Sequence, residues 1–133
     1  MKKSLTILTL VFTVMFPSTI FAEWTKTGTT DIQDNYYVDL ERIRKVDGYV
    51  YFWELADYSR PIRLTQMTLL SSKRYFQGDC KILRYKILSY VYHKQPMGRD
   101  TGETSEPVNK EWRYPPPNSV VEKSLETVCE YVN

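Results

Sequence analysis

The sequence predicts an α+β fold: a single antiparallel β-sheet of about five to six strands, with a C-terminal α-helix packed on it and tied to it by a disulfide. Three observations predict it. Aromatic and β-branched residues alternate with polar ones through much of Trp24 to Tyr92. Val121, Leu125, Val128 and Val132 recur at helical spacing near the C-terminus. The only two cysteines, Cys80 and Cys129, fall one in the strand region and one on that helix.

Ahead of the sheet, Met1-Lys2-Lys3 and the apolar run from Leu5 to Phe16 form the charged and apolar parts of a secretory signal. The run is about half the ~20 residues a membrane helix needs and Pro17 interrupts it, so a removed signal is expected rather than an anchor. Cleavage is expected after the small Ala22, leaving residues 23–133 as one domain with no membrane span. Two of the 18 Lys and Arg lie in the signal and all 16 Asp and Glu follow it, so the mature chain is neutral. The basic character of the precursor is therefore no argument for nucleic-acid binding. Neither cysteine directly follows the signal, so no lipid-acceptor cysteine is expected there. In an exported chain an even pair reads as a disulfide, and a single histidine leaves too few ligands for a metal site.

The strands begin with Trp24 to Thr27 and Tyr36-Tyr37-Val38. Asp47-Gly48, a hairpin turn, then leads into the strongest strand, Tyr49 to Tyr58. There Tyr49, Tyr51, Trp53 and Leu55 share one face and Val50, Phe52 and Glu54 the other, so the strand is central and covered on both sides. Ser72 to Cys80 and Arg84 to Tyr92 form an antiparallel hairpin through Lys81 to Leu83. From His93 to Tyr114 the alternation fails and a long loop is expected, with one short strand near Trp112. Pro115-Pro116-Pro117 stops the chain before a helix from Ser119 to Tyr131, where Ser119 and Glu122 stand at capping-box spacing. Cys129 sits at the edge of the apolar stripe, so a bridge to Cys80 pins the helix across the sheet. Closing a loop of about 50 residues contributes roughly 4 kcal/mol by the chain-entropy estimate.

Catalytic chemistry is not expected. His93 is the only histidine and stands beside Lys94 at a strand end, where a solvated surface role is expected; there is no nucleophile elbow. Asp31, Asp34 and Asp39 cluster near a turn, where aspartates serve the backbone. The five glycines are scattered singly, which excludes a phosphate-cradling loop, and no cofactor is expected. The eleven tyrosines read first as core and cross-strand pairs, Tyr36 and Tyr37 facing opposite ways.

Charge is the informative feature. Residues 60–94 carry eight Lys and Arg against Asp79 alone, whereas residues 23–59 and 100–133 each sum to minus four. On the helix Glu122, Glu126 and Glu130 stack at i, i+4, i+8, which costs about 0.2–0.5 kcal/mol per like-charged pair. Two readings follow. Either the basic hairpin neutralises this stripe within the fold, or Lys73, Arg74, Lys81 and Arg84 stay exposed and meet an acidic protein or an acidic, for example sulfated, glycan.

Trp24, Tyr36-Tyr37-Val38-Asp39 with Ile43, the Val50 to Tyr58 strand with Trp53 and Asp57-Tyr58, and Ser72-Lys73 leading to Asp79-Cys80 follow one another in a recognisable order. Arg84, Leu88-Ser89, Met97-Gly98, Trp112, Pro117-Asn118-Ser119 and Cys129 continue it. In this order and spacing the chain resembles the bacterial surface-adhesin E family over nearly all of its mature length. The resemblance implies the same sheet and helix, the Cys80 to Cys129 bridge, and attachment to host matrix proteins such as vitronectin and laminin. Two departures stand out: the lipid-acceptor cysteine is absent, and Asp100 replaces a glycine that usually follows the Met-Gly loop. The expected function is an exported, non-catalytic binding protein, periplasmic or at the cell surface. The alternative is a periplasmic accessory or inhibitor protein that binds another envelope protein. An unpaired edge strand leaves room for a homodimer.

Overall fold

The computed structural model describes residues 23–133. The expected signal and its cleavage after Ala22 lie outside the described residues. Seven strands follow in chain order: β1 (Thr25–Thr29), β2 (Asn35–Val38), β3 (Arg44–Val46), β4 (Tyr49–Leu64), β5 (Met67–Asp79), β6 (Arg84–His93) and β7 (Glu103–Ser105). Helix α1 spans Val120–Val132. The sheet order is β1-β2-β4-β5-β6-β7, with β3 paired to β4 as well. Every pairing is antiparallel. None of the described helices is long and apolar enough to cross a membrane.

β4 is the central strand that its two-faced pattern predicts. It pairs along one edge with β3 and then β2, and along the other with β5. The β3–β4 turn at Asp47-Gly48 has both residues at positive φ, +52° and +82°, the geometry a two-residue hairpin demands. β4 and β5 run further than their sequence pattern indicates. Beyond Asp57 and Ser71 their outer neighbours end, and Ile62–Leu64 pairs with Met67–Leu69 as a two-stranded arm that leaves Ile62 and Leu64 exposed.

On one face of the sheet Val50, Phe52, Phe76, Tyr85 and Ile87 form the core with Val38. Helix α1 lies on this face because its stripe is apolar: Leu125 and Val128 have no exposed surface. Gly78 permits the close approach, since a Cβ there would stand 2.7 Å from Leu125 Cδ1 and 2.9 Å from Val50 Cγ2. Ser119 caps the helix by accepting from the Glu122 N–H at 3.2 Å, and Glu122 Oε1 accepts in turn from the Asn118 N–H at 3.0 Å. The Cys80–Cys129 disulfide joins the end of β5 to the helix, with Cα atoms 5.6 Å apart.

A bulge between Tyr75 and Phe76 in the β5–β6 ladder leaves Leu88 extra, so Tyr85 and Ile87 face the helix while Val91 faces away from it. Two expectations are corrected. The segment from His93 onward is more ordered than a plain loop: it holds a 3₁₀ turn at Pro96–Gly98, strand β7, and a two-way bridge between Tyr85 and Arg113 beside Trp112. His93 is not a solvated surface group. It is fully buried, because the returning loop closes over the end of β6.

Candidate functional site

Among the described residues the second face of the sheet carries no α-helix. Side-chain alternation puts Tyr49, Tyr51, Trp53 and Leu55 of β4 on it, and half-exposed aromatics line up across the strands. Tyr75 meets Tyr51 at 6.3 Å and Trp53 at 4.8 Å between ring centroids. At one end Tyr49 meets Trp112 at 5.3 Å, and the Arg84 guanidinium and Lys86 ammonium lie 4.3 Å and 4.6 Å from the Trp112 ring centre.

At the other end of this face is a half-open cavity of about 790 Å³. Trp24 from the start of the domain, Trp53 from β4, Lys73 from β5 and His93 from β6 line it, with Arg42 and Arg99 from the flanking loops. Its loop wall is tied down by the buried Ser71 and the half-buried Asp57. The Met97 N–H donates to Asp57 Oδ1 and the Gly98 N–H to Ser71 Oγ, each at 2.8 Å, while Ser71 Oγ donates to the Gln95 carbonyl at 2.5 Å. Gly98 and Gly102 hold φ of +59° and +75° and lie against Lys73 and His93, where a Cβ would stand 2.5 Å from Lys73 Cε or 2.8 Å from the imidazole.

Asp100 locks this wall. Its carboxylate accepts from the backbone N–H of Lys94 and of Gln95 and faces His93 Nδ1 at 3.2 Å. Burial would raise its pKa, but those backbone bonds and the histidine outweigh it, and the carboxyl titrates below its usual range. His93 is shifted down, first by burial and then by the nearby Lys73 charge, against the opposing pull of Asp100. The imidazole is therefore neutral at pH 7 with its proton on Nδ1 toward Asp100, leaving Nε2 as an acceptor. That buried Nε2 has no hydrogen-bond partner among the described residues. Lys73 is likewise shifted down by burial, with Asp100 opposing and Arg42 adding to the shift. Its ammonium donates to the Gly98 carbonyl at 3.2 Å and lies 5.9 Å from the Trp24 ring centre.

The four basic residues singled out in the sequence do not form one patch. Lys73 lines the cavity, and Arg84 lies at the Trp112 end of the same face, bound to Asp79 Oδ2 at 3.0 Å. Lys81 is exposed in the β5–β6 turn. Arg74 points to the helix side, where it pairs with the buried Glu54. None of the described ion pairs joins the basic hairpin to the helix carboxylates, and Glu126 and Glu130 remain exposed. Sequence reasoning missed Arg42, Arg99, His93 and Trp24 as neighbours of Lys73, since only the sheet register brings residues so distant in the chain together. Asp100, marked as a departure at the Met-Gly loop, was the one local signal of this site.

The surface-adhesin protein E family model matches residues 24–130. Among solved structures, Haemophilus influenzae protein E superposes with a TM-score of 0.63 at 13% identity, covering 86% of this chain and 89% of that one. A second crystal form of it gives 0.63 at 14% identity over 88% and 95%. Protein E from non-typeable Haemophilus influenzae gives 0.59 at 14% identity, over 86% and 80%. At such identities the structural likeness speaks for the fold alone. No curated protein matches the chain. With the family model spanning almost the whole described domain, the chain belongs to the surface-adhesin protein E family.

Proposed function

We propose that this protein is an exported, non-catalytic adhesin that attaches to an acidic partner outside the cell, a host matrix protein or its glycans, through the helix-free face of its sheet. One observation carries the reading. That face joins half-exposed aromatics to Lys73, Arg84 and Lys86, with a cavity at one end, while α1 occupies the other face. Large rigid rings with cations at their faces are what protein recognition surfaces use. Family membership supports the adhesin class and an exported location. Of the four residues expected to bind, Lys73 and Arg84 serve this face, and Lys81 is open to solvent at its rim.

The test compares binding of the mature domain to immobilised matrix protein and to a heparin-like polymer. Replacing Lys73, Arg84 and Lys86 together by Gln should weaken binding at least tenfold and flatten its salt dependence, as loss of three surface charges predicts. Replacing Lys123 on α1 and Lys45, which pairs with Val50 on the helix side and reaches the Val132 carbonyl, should not. Unchanged binding by the triple variant rejects this face. Protease resistance of the protein on intact cells rejects direct host attachment and favours a periplasmic partner.

A further inference from the structure

We infer that the cavity beside His93 is a subsite for a carboxylated sugar, a uronic acid or a similar acidic ring at the end or along the chain of a glycan. The inference rests on the reading of the helix-free face as the binding face and names the chemistry of its deepest part.

The demands of the lining converge on that class. Trp24 and Trp53 offer ring faces on which the C–H face of a sugar ring can lie. Lys73 spends one of its three donors on the Gly98 carbonyl, and Arg99 stands exposed at the rim with its planar fork unpaired among the described residues, so both can meet a carboxylate. The wall also holds acceptors: His93 Nε2, closed off from solvent and without a hydrogen-bond partner among the described residues, and the buried Asp39 carboxylate beside Arg42, which already accepts from the Glu41 N–H. A buried acceptor without a donor is costly, so a ligand O–H that reached Nε2 through a small shift of the wall would relieve it, and the site favours a ligand with a donor as well as an anion. A sugar acid carries apolar C–H face, hydroxyl donors and carboxylate on one rigid ring. The volume lies within the roughly 300–1,000 Å³ of small-ligand sites. The loop wall is built before any ligand arrives, because Asp57, Ser71 and Asp100 fix it through six hydrogen bonds in all.

The single histidine makes the site observable. Methyl β-glucuronide and the neutral methyl β-glucoside would be titrated into the mature protein, following the His93 imidazole signals by NMR. The glucuronide should shift them saturably with a dissociation constant near or below the millimolar range, and the glucoside should bind at least about tenfold more weakly. Lys73→Met should weaken glucuronide binding about tenfold. His93→Asn, which keeps a donor for Asp100 but loses the Nε2 acceptor, should weaken it about fivefold, read from backbone amide shifts with the fold intact. Arg84→Gln with Lys86→Gln should leave it unchanged while still weakening polymer binding.

Absence of a saturable shift up to about 10 mM, or equal binding of both sugars, overturns the inference. A short poly-glutamate peptide that shifts His93 when the glucuronide does not also overturns it, in favour of a peptide subsite. Polymer binding that persists in any of these cases leaves the broader reading of the face standing. Glucuronide binding without polymer or matrix binding retains the subsite and removes the adhesin.

Discussion

Replacing Arg74 by Met should be among the most damaging single changes outside the apolar core. Glu54 stands on the helix side of β4 with no exposed side-chain surface, and both Arg74 Nε and Nη2 donate to its Oε1, the former at 3.0 Å. Its other oxygen, Oε2, has no hydrogen-bond partner among the described residues. The guanidinium sits 5.0 Å from the Phe76 ring centre and 6.0 Å from that of Tyr36, so a methionine in its place would pack on the same rings and bring no donor to Glu54. Arg74→Met therefore strands a buried carboxylate, which costs about 3–5 kcal/mol. Against a total of about 5–15 kcal/mol for a domain, that is a large share. At about 4 °C per kcal/mol for this size, Tm should fall by roughly 12–20 °C. Glu54→Leu should cost less, about 1–2 kcal/mol, because Arg74 keeps a quarter of its side chain exposed and can reach solvent. The double variant should return to within about 1 kcal/mol of the parent, since removing both charges removes the desolvation problem. Urea denaturation of the four proteins closes the cycle. An Arg74→Met cost under about 1 kcal/mol, or a double variant as unstable as the single, would refute the argument.

Three further outcomes are expected. Because His93 titrates below its unfolded value of about 6.5, the unfolded chain binds more protons just below that pH, so stability should fall as pH drops from about 6.5 toward the lower folded pKa and level off beneath it. Asp100 and Lys73 are the charged groups facing this imidazole, and His93→Asn should remove the slope in urea midpoints between pH 5 and 7. Reducing the Cys80–Cys129 bridge, or replacing both cysteines by Ser, should cost about 4 kcal/mol for its 49-residue separation, seen as a lower urea midpoint. Gly78→Val should destabilise by about 1–3 kcal/mol through the collision with Leu125 and Val50, while Gly48→Asn, in an open left-handed turn, should leave the thermal midpoint nearly unchanged.

How much of this was legible depended on how local the cause was. The two-faced β4, the capped helix and the Cys80–Cys129 bridge follow from spacing within a few residues or from a cysteine pair, and the structure holds all three. The far ends of β4 and β5 were not legible, because Pro61 reads as a strand breaker. It lies in the stretch between Asp57 and Ile62 where the ladder shifts register and tolerates it. Burial of His93 depends on Asp100 reaching back across seven residues, and period-two alternation carries no trace of such a return. The cavity draws on Trp24, Arg42, Trp53, Lys73 and Arg99, whose adjacency exists only after the sheet has formed.

The place of α1 in the chain also sets the timing of folding. Leu125, Val128 and Cys129 cover the apolar face made by β2, β4, β5 and β6, and all three follow every strand in sequence. Until residue 129 has emerged on the far side of a membrane, that face has no cover and Cys80 has no mate. A chain arranged this way cannot complete its core or close its bridge until its last residues are free to fold, so both wait on the same C-terminal helix.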